Sequence, residues 1–263
     1  MNNQEALYIK DYGYFTNNDE QELDAKVVVP FHSDLGERYL INSRYRRIFF
    51  CLAQCFVPQQ HVTTCGVASS VMVLSAIYVQ KRIKRPLDKA SVLRDTSTNV
   101  SMANFIWTEQ NFFESAQLVL NQNEIMGKAM NEKHQYNLGI GLDTLSNALN
   151  IILDNVNMST TTYHVDIITQ HQLNEFRCLI KDVMNSSNQY IIVNYNLNMQ
   201  CPELNCGHFA PIAAYDQVSD RVLLLDPWAS FSPWVWIKLA DFYASMNTLD
   251  GNNYRGYIVI GDI

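Results

Sequence analysis

The sequence predicts an α+β protein, with a helical lobe packed on an antiparallel β-sheet lobe and a cleft between them. Two observations predict it. Apolar residues at helical spacing dominate from about residue 65 to 185, whereas short β-rich runs separated by turn residues fill the last third. At 263 residues, 48% hydrophobic and 17% charged, the chain can bury a large core as one domain or as two lobes sharing a cleft.

The elements follow in order. Residues 1–43 are polar, include the acidic stretch NNDEQELD, and read as an N-terminal extension wrapping the body. Residues 44–263 read as the main domain, with the helical lobe over about 44–158 and the sheet lobe over about 159–263. From 65 to 80, Val67, Val71, Val73, Leu74, Ile77 and Tyr78 surround most of a helix, which should therefore be buried. Thr63 or Thr64 is placed to cap it. The stretch 108-TEQNFFESAQLVL-120 starts a second helix, and 141-GLDTLSNALNIIL-153 a third, with Leu142, Leu145, Ala148, Leu149 and Ile152 on one face. A short strand at 161-TTYHVDI-167 precedes a helix over 170–185 carrying Leu173, Phe176, Ile180, Val183 and Met184. Strands are expected at 189-QYIIVNY-195, 208-HFAPIAAY-215, 221-RVLLLD-226, 234-WVWIKL-239 and 255-RGYIVIGD-262.

Composition excludes several function classes. No apolar run approaches the roughly 20 residues that span a bilayer. The start, MNNQEALYIKDYGYF, lacks a basic region followed by an apolar block, so the expected location is cytoplasmic, or exported without a cleavable signal peptide. A net charge of -7 gives no general attraction to nucleic acid or to a membrane surface. Arg44, Arg46 and Arg47 read as a solvated face. A homodimer remains an open assembly state. Six cysteines without a secretory signal argue for reduced thiols. Cys51 with Cys55, and Cys201 with Cys206, have zinc-compatible spacing but no knuckle-like context, and read as unlinked thiols.

One residue stands apart. Cys65, in 59-QQHVTTCGV-67, falls where the buried helix begins, facing the positive end of the helix dipole and unpaired backbone N–H groups. Both favour a thiolate. A nucleophile needs a base, and His208 opens a strand whose hairpin partner ends in Asp226. With the turn formers of 216-DQVSD-220 between them, positions 208 and 226 lie opposite each other to within about two residues. A carboxylate there can hold one imidazole nitrogen and leave the other for the thiol. Gln59, six residues before Cys65, can bring its amide beside the Cys65 N–H to stabilise an oxyanion, with Gln60 as the adjacent competitor. Taken singly, each has an ordinary structural reading: Asp226 as a turn former, His208 as a core histidine, Gln59 as loop. Their order along the chain points to a cysteine-nucleophile enzyme.

At these residues the chain resembles the phytochelatin synthase family, a branch of the papain-like cysteine peptidase fold. FVPQQHVTTCGVASSVMVLSAI, WTEQNFF, GIGLDTLSNAL, IIVNYN, CGHFAPIAAYD, RVLLLDPWASFSPWVW, ASMNTLD and YRGYIVI carry the likeness in order from about 47 to 262. The resemblance implies a γ-glutamylcysteine transferase or hydrolase acting on glutathione. Cys65 would attack the Cys–Gly amide, Gln59 would help hold the oxyanion, and His208 oriented by Asp226 would protonate the departing glycine. It places Asp250 and Arg255 near the substrate, with a structural ion pair as the other reading. The short form resembles prokaryotic members, in which hydrolysis outweighs phytochelatin synthesis. It implies no required cofactor and no metal site; cadmium or zinc would arrive only as thiolate complexes of the substrate. Three positions depart from the family pattern: Leu197, Ala229 and Phe231 stand where basic residues are usual. They leave open another γ-glutamyl conjugate, a peptide or a protein amide as substrate. A third reading is an inactive thiol- or metal-binding protein.

Overall fold

Antiparallel pairing of seven strands sets the architecture, in the spatial order β1-β6-β5-β4-β3-β9-β2. The strands are β1 (Val28–Pro30), β2 (Met158–His164), β3 (Tyr190–Asn196), β4 (Gly207–Asp216), β5 (Arg221–Leu224), β6 (Val235–Lys238) and β9 (Gly256–Asp262). A separate two-stranded ribbon pairs β7 (Leu249–Asp250) with β8 (Asn253–Tyr254). This computed structural model describes residues 24–86, 105–126, 139–229 and 234–262.

Eight α-helices occur among the described residues: α1 (Asp34–Asn42), α2 (Phe49–Ala53), α3 (Cys65–Lys81), α4 (Glu109–Ser115), α5 (Gln122–Met126), α6 (Leu142–Leu153), α7 (Gln170–Asn185) and α8 (Leu239–Met246). α3 is apolar all round and buried from Cys65 to Tyr78, as such a helix must be. It packs on β4 and β3, with Tyr190 of β3 reaching Gln80. On the other face of the sheet, α7 and α8 cover the strands through Phe176 against Tyr257 and Phe242 against Tyr195. The fold is α+β, consistent with a papain-like fold.

The hairpin between β4 and β5 positions the chemistry. Asp216 pairs with Arg221 across the turn, and a bulge between Ile212 and Ala214 shifts the register. Beyond it, Leu225 N–H bonds to Pro211 O at 3.2 Å, so His208 lies diagonal to Asp226. The offset falls within the roughly two residues that the turn composition allows.

Several boundaries differ from the sequence reading. The strand expected at 161–167 runs from Met158 to His164, because Gly256, opposite His164, is the first residue of β9. α4 stops at Ser115 and continues as turns, leaving Leu118 in solvent. Within the segment read as an extension, residues 1–23 lie outside the described residues. Residues 28–30 form the edge strand and residues 34–42 a helix.

Arg221 ties that segment down. Its fully buried guanidinium donates to the carbonyls of Val27 (2.8 Å), Asp24 (2.8 Å) and Lys26 (2.6 Å) and lies over the Tyr39 ring. Replacing it by methionine strands these contacts while keeping the volume. Arg221→Met is expected to destabilise the protein by ~3 kcal/mol, measured by urea denaturation. A change within ~0.5 kcal/mol would show that residues 24–30 add nothing to the core.

Candidate active site

The turn before α3 is built by its own side chains. Thr64 occupies the N-cap position but makes no capping bond. Instead its Oγ1 accepts from His61 N–H at 3.1 Å and lies 3.1 Å from Glu109 Oε1. Thr63 Oγ1 donates to Ile125 O at 2.7 Å. Neither threonine therefore closes the helix end. The first helical bond runs from Ala68 N–H to Thr64 O, so the N–H groups of Cys65, Gly66 and Val67 form the unpaired first turn. A Cβ on Gly66 would lie 2.8 Å from Ile140 and 3.3 Å from Phe209, so only glycine lets this end of α3 seat against β4.

Glu109, from the start of α4, fixes the loop. It is 4% exposed and accepts Gln60 N–H at 2.9 Å. Burial pushes its carboxyl up, against the hydrogen bonds from Gln60 and Thr64 that favour the ionised form. The sequence signal for it was the Glu of WTEQNFF, which periodicity alone did not single out.

At the start of β4, His208 Nε2 meets Asp226 Oδ1 at 2.8 Å, with both side chains buried. A carboxylate only accepts, so Nε2 carries the proton and Nδ1 is left for another partner, with Cys65 near enough to favour the imidazolium. Asp226 Oδ1 also accepts Trp228 N–H at 2.8 Å, and Tyr195 Oη lies 3.4 Å from Oδ2. Gln200 donates to Tyr195 Oη at 2.7 Å, and the Tyr195 ring stands edge-on to the imidazole. Tyr195 pairs directly with His208 across the strands, a position the β-register could have revealed. Burial disfavours the charged imidazolium, but the Asp226 carboxylate and Cys65 outweigh it and hold His208 well above the ordinary imidazole range. Burial, Asp226 and Cys65 together hold the Tyr195 phenol protonated.

Gln59 sits in the same neighbourhood. Its N–H donates to Pro227 O at 2.9 Å, docking the loop beside Asp226. Its Nε2 gives one hydrogen to His61 O at 3.0 Å, and among the described residues its buried Oε1 has no hydrogen-bond partner. Gln60 is exposed, and its backbone N–H is bound by Glu109.

Arg255 and Asp250 lie close together, with Nη2 and Oδ1 3.9 Å apart. Arg255 is 6% exposed, and Nη1 bonds Thr248 Oγ1 (2.9 Å) and Leu249 O (2.6 Å). Burial lowers its guanidinium, with Asp250 and Cys206 opposing. Asp250 also lines a cavity of about 180 Å³ with Asp143, His164 and the start of α6. Burial pushes the Cys206 thiol up, with His208 and Arg255 acting against it. Among the described residues no three His, Cys, Asp or Glu side chains gather as a metal site, and Cys201 Sγ faces Glu203 Oε2 at 3.0 Å.

Of the departures, Leu197 is fully buried in a one-turn 3-10 helix after β3, where its N–H bonds Cys206 O. Ala229 is exposed, and Phe231 lies outside the described residues.

Comparison with known proteins agrees with this geometry. The glutathione gamma-glutamylcysteinyltransferase 3 of Lotus japonicus is 29% identical over 104 residues, covering 38% of this chain. The chain matches only 22% of that relative's length. The model of the phytochelatin synthase family, described as "Phytochelatin synthase", matches residues 19–257, nearly the whole chain and including 19–43. The chain belongs to the phytochelatin synthase family.

Proposed function

We propose that the protein cleaves the Cys–Gly amide of glutathione through a γ-glutamylcysteinyl thioester on Cys65. The observation that carries this reading is the His208–Asp226 contact of 2.8 Å, with Cys65 near enough to act on the charge of the same imidazole. The Cys65 sulfur adds to the carbonyl carbon, and the oxyanion is held by the Cys65 N–H and the second amide hydrogen of Gln59. Imidazolium at His208 gives its proton to the departing glycine nitrogen. The same imidazole then takes a proton from water, which releases γ-glutamylcysteine and the free thiol. A second glutathione in place of water would extend the chain instead. Water is the favoured acceptor, because Leu197 is buried and Ala229 carries no charge, leaving fewer cations for a second carboxylate-rich peptide. Metal ions enter as thiolate complexes of the substrate, and the protein's own groups complete the chemistry. The same two positions support a second reading, in which another γ-glutamyl conjugate with a less acidic leaving group is the substrate.

Three measurements test the scheme. Incubation with glutathione is expected to release equimolar glycine and γ-glutamylcysteine, with a γ-glutamylcysteinyl adduct at Cys65 in rapid-quench mass spectrometry. Cys65→Ala is expected to release none; equal release by that variant would overturn the proposal. Gln59→Ala is expected to lower kcat by about 10²-fold, with KM little changed.

The pH profile follows from the sign of the His208 shift. The imidazolium persists as pH rises until its raised pKa is passed, so activity is lost on the alkaline side. In Asp226→Asn the carboxylate that raises it is gone and burial dominates. The alkaline limb is expected to move down, toward the ordinary imidazole range or below it, with kcat falling about 10²–10⁴-fold. An unmoved limb would show that Asp226 does not set the imidazole's charge.

A further inference from the structure

His164 closes β2, and both nitrogens of its imidazole face acceptors. Nδ1 lies 2.5 Å from Tyr254 O, and Nε2 lies 3.0 Å from Asp143 Oδ1. The backbone aims the Tyr254 carbonyl at the ring. Arg255 N–H bonds Thr248 O at 2.9 Å, and in a trans peptide the carbonyl points the opposite way. Asp143, in the first turn of α6, accepts Asn253 Nδ2 on its other oxygen at 2.9 Å. The end of β2, the start of α6 and the β7–β8 ribbon therefore meet at one imidazole.

That meeting fixes a protonation state. A carbonyl and a carboxylate only accept, while a neutral imidazole has a single N–H to give. Both contacts are hydrogen bonds only when the ring is an imidazolium. Burial works against that charge, but the Tyr254 carbonyl, Asp143 and Asp166 outweigh it and raise His164 above the ordinary imidazole range. Asp250 and Tyr254 face it across the cavity of about 180 Å³ that His164 helps to line. Arg255 follows Tyr254 in the chain, and its Nη1 is engaged by Thr248 and Leu249. Loss of the proton turns a bare lone pair toward one acceptor, so one of the two ties must open.

The ribbon depends on such ties. Each of its strands is two residues long, with Gly251 at φ 66° in the turn, too short to stand alone. Asn194 Nδ2 tethers the first strand at Asp250 Oδ2 (2.9 Å). His164 and Asp143 tether the second at Tyr254 and Asn253.

We propose that His164 is a positioning residue, a latch that holds the β7–β8 ribbon to β2 and α6 as an imidazolium and releases it when the ring loses its proton. A raised pKa means that the latch is fully closed below the ordinary imidazole range and opens as pH rises through the raised value. Because the ribbon carries Asp250, an open latch weakens substrate binding in the proposed reaction and leaves the chemistry at Cys65 and His208 in place. That consequence rests on the proposed reaction; the latch itself does not.

The test follows the ring and the ribbon separately in the full chain. Long-range proton–nitrogen NMR reads His164, assigned by its absence in His164→Asn, whose shorter amide keeps the Tyr254 bond and loses Asp143. Hydrogen–deuterium exchange, corrected for its intrinsic pH dependence, reads the ribbon at the Arg255 N–H. His164 is expected to titrate above the ordinary imidazole range, and Asp143→Asn to lower that value. Wild-type ribbon exchange is expected to rise ~10-fold across the same titration. In His164→Asn it should match the wild type's high-pH rate at every pH. A ring that titrates at or below the ordinary range, exchange that ignores the titration, or tracking that survives His164→Asn would overturn the latch. Glycine release is measured alongside, with KM for glutathione expected to rise as the latch opens while kcat follows His208. A KM that stays level through the opening overturns the positioning role. Absent glycine release together with tracking exchange sinks the proposed reaction alone, and glycine release with untracked exchange sinks the latch alone.

Discussion

The buried hydrogen bond between His208 Nε2 and Asp226 Oδ1 is the constraint on which the site depends. Removing either partner leaves an unpaired charge or polar ring in a dry interior, a change that costs about 3–5 kcal/mol for a buried pair. The carboxylate is shared between the imidazole and Trp228 N–H, with Tyr195 Oη beside it, so it is oriented from three sides. That fixes the imidazole plane and tautomer, and with them the nitrogen offered to Cys65. The bond exists only because β4 and β5 meet in one register, which the bulge between Ile212 and Ala214 sets. A slip of one residue would send His208 to the other face of the sheet.

The same corner of the chain fixes the oxyanion side. Asp226 holds the imidazole, and the next residue, Pro227, accepts Gln59 N–H at 2.9 Å. Glu109 holds the following residue, Gln60, from the opposite direction. The loop before Cys65 is therefore pinned at neighbouring residues by two distant elements, which leaves the first turn of α3 free to face a ligand. Its threonines are spent on that loop and on Ile125, not on capping. An uncapped helix start costs stability, and here it is what leaves N–H groups for a developing negative charge.

Much of this was legible in the sequence, and the reasons are local. α3, α6 and α7 show clear apolar patterns, and α6 and α7 match their expected spans to within a residue. That His208 and Asp226 lie opposite each other to within about two residues followed from turn composition and strand length, and the bulge between Ile212 and Ala214 makes the placement diagonal. What escaped depends on long-range contacts. β1 is three residues long, too short for any period, and exists because Val28 and Pro30 find β6. α8 lies in a run, LADFYASM, that continues directly from a strand-like stretch with no Gly or Pro to mark the change. Glu109 and Asn194 read as ordinary polar residues, because their roles come from partners 49 and 56 positions away in sequence.

In the proposed reaction the substrate brings two carboxylates, and an acidic protein must place its cations with economy to bind them. Where the resemblance leads one to expect basic residues, Leu197 has joined the core and Ala229 is uncharged. Arg255 remains, and its environment is arranged to keep it usable. Burial works against its charge, Asp250 offsets part of that loss, and the pair stays 3.9 Å apart instead of closing into a tight bridge. A closed bidentate bridge would have consumed the edge of the guanidinium that Gly207 leaves uncovered. In the proposed reaction that arrangement grips the acyl half of the substrate and leaves the acceptor with little charge to bind. Water needs no such grip, which is why hydrolysis is the outcome proposed here.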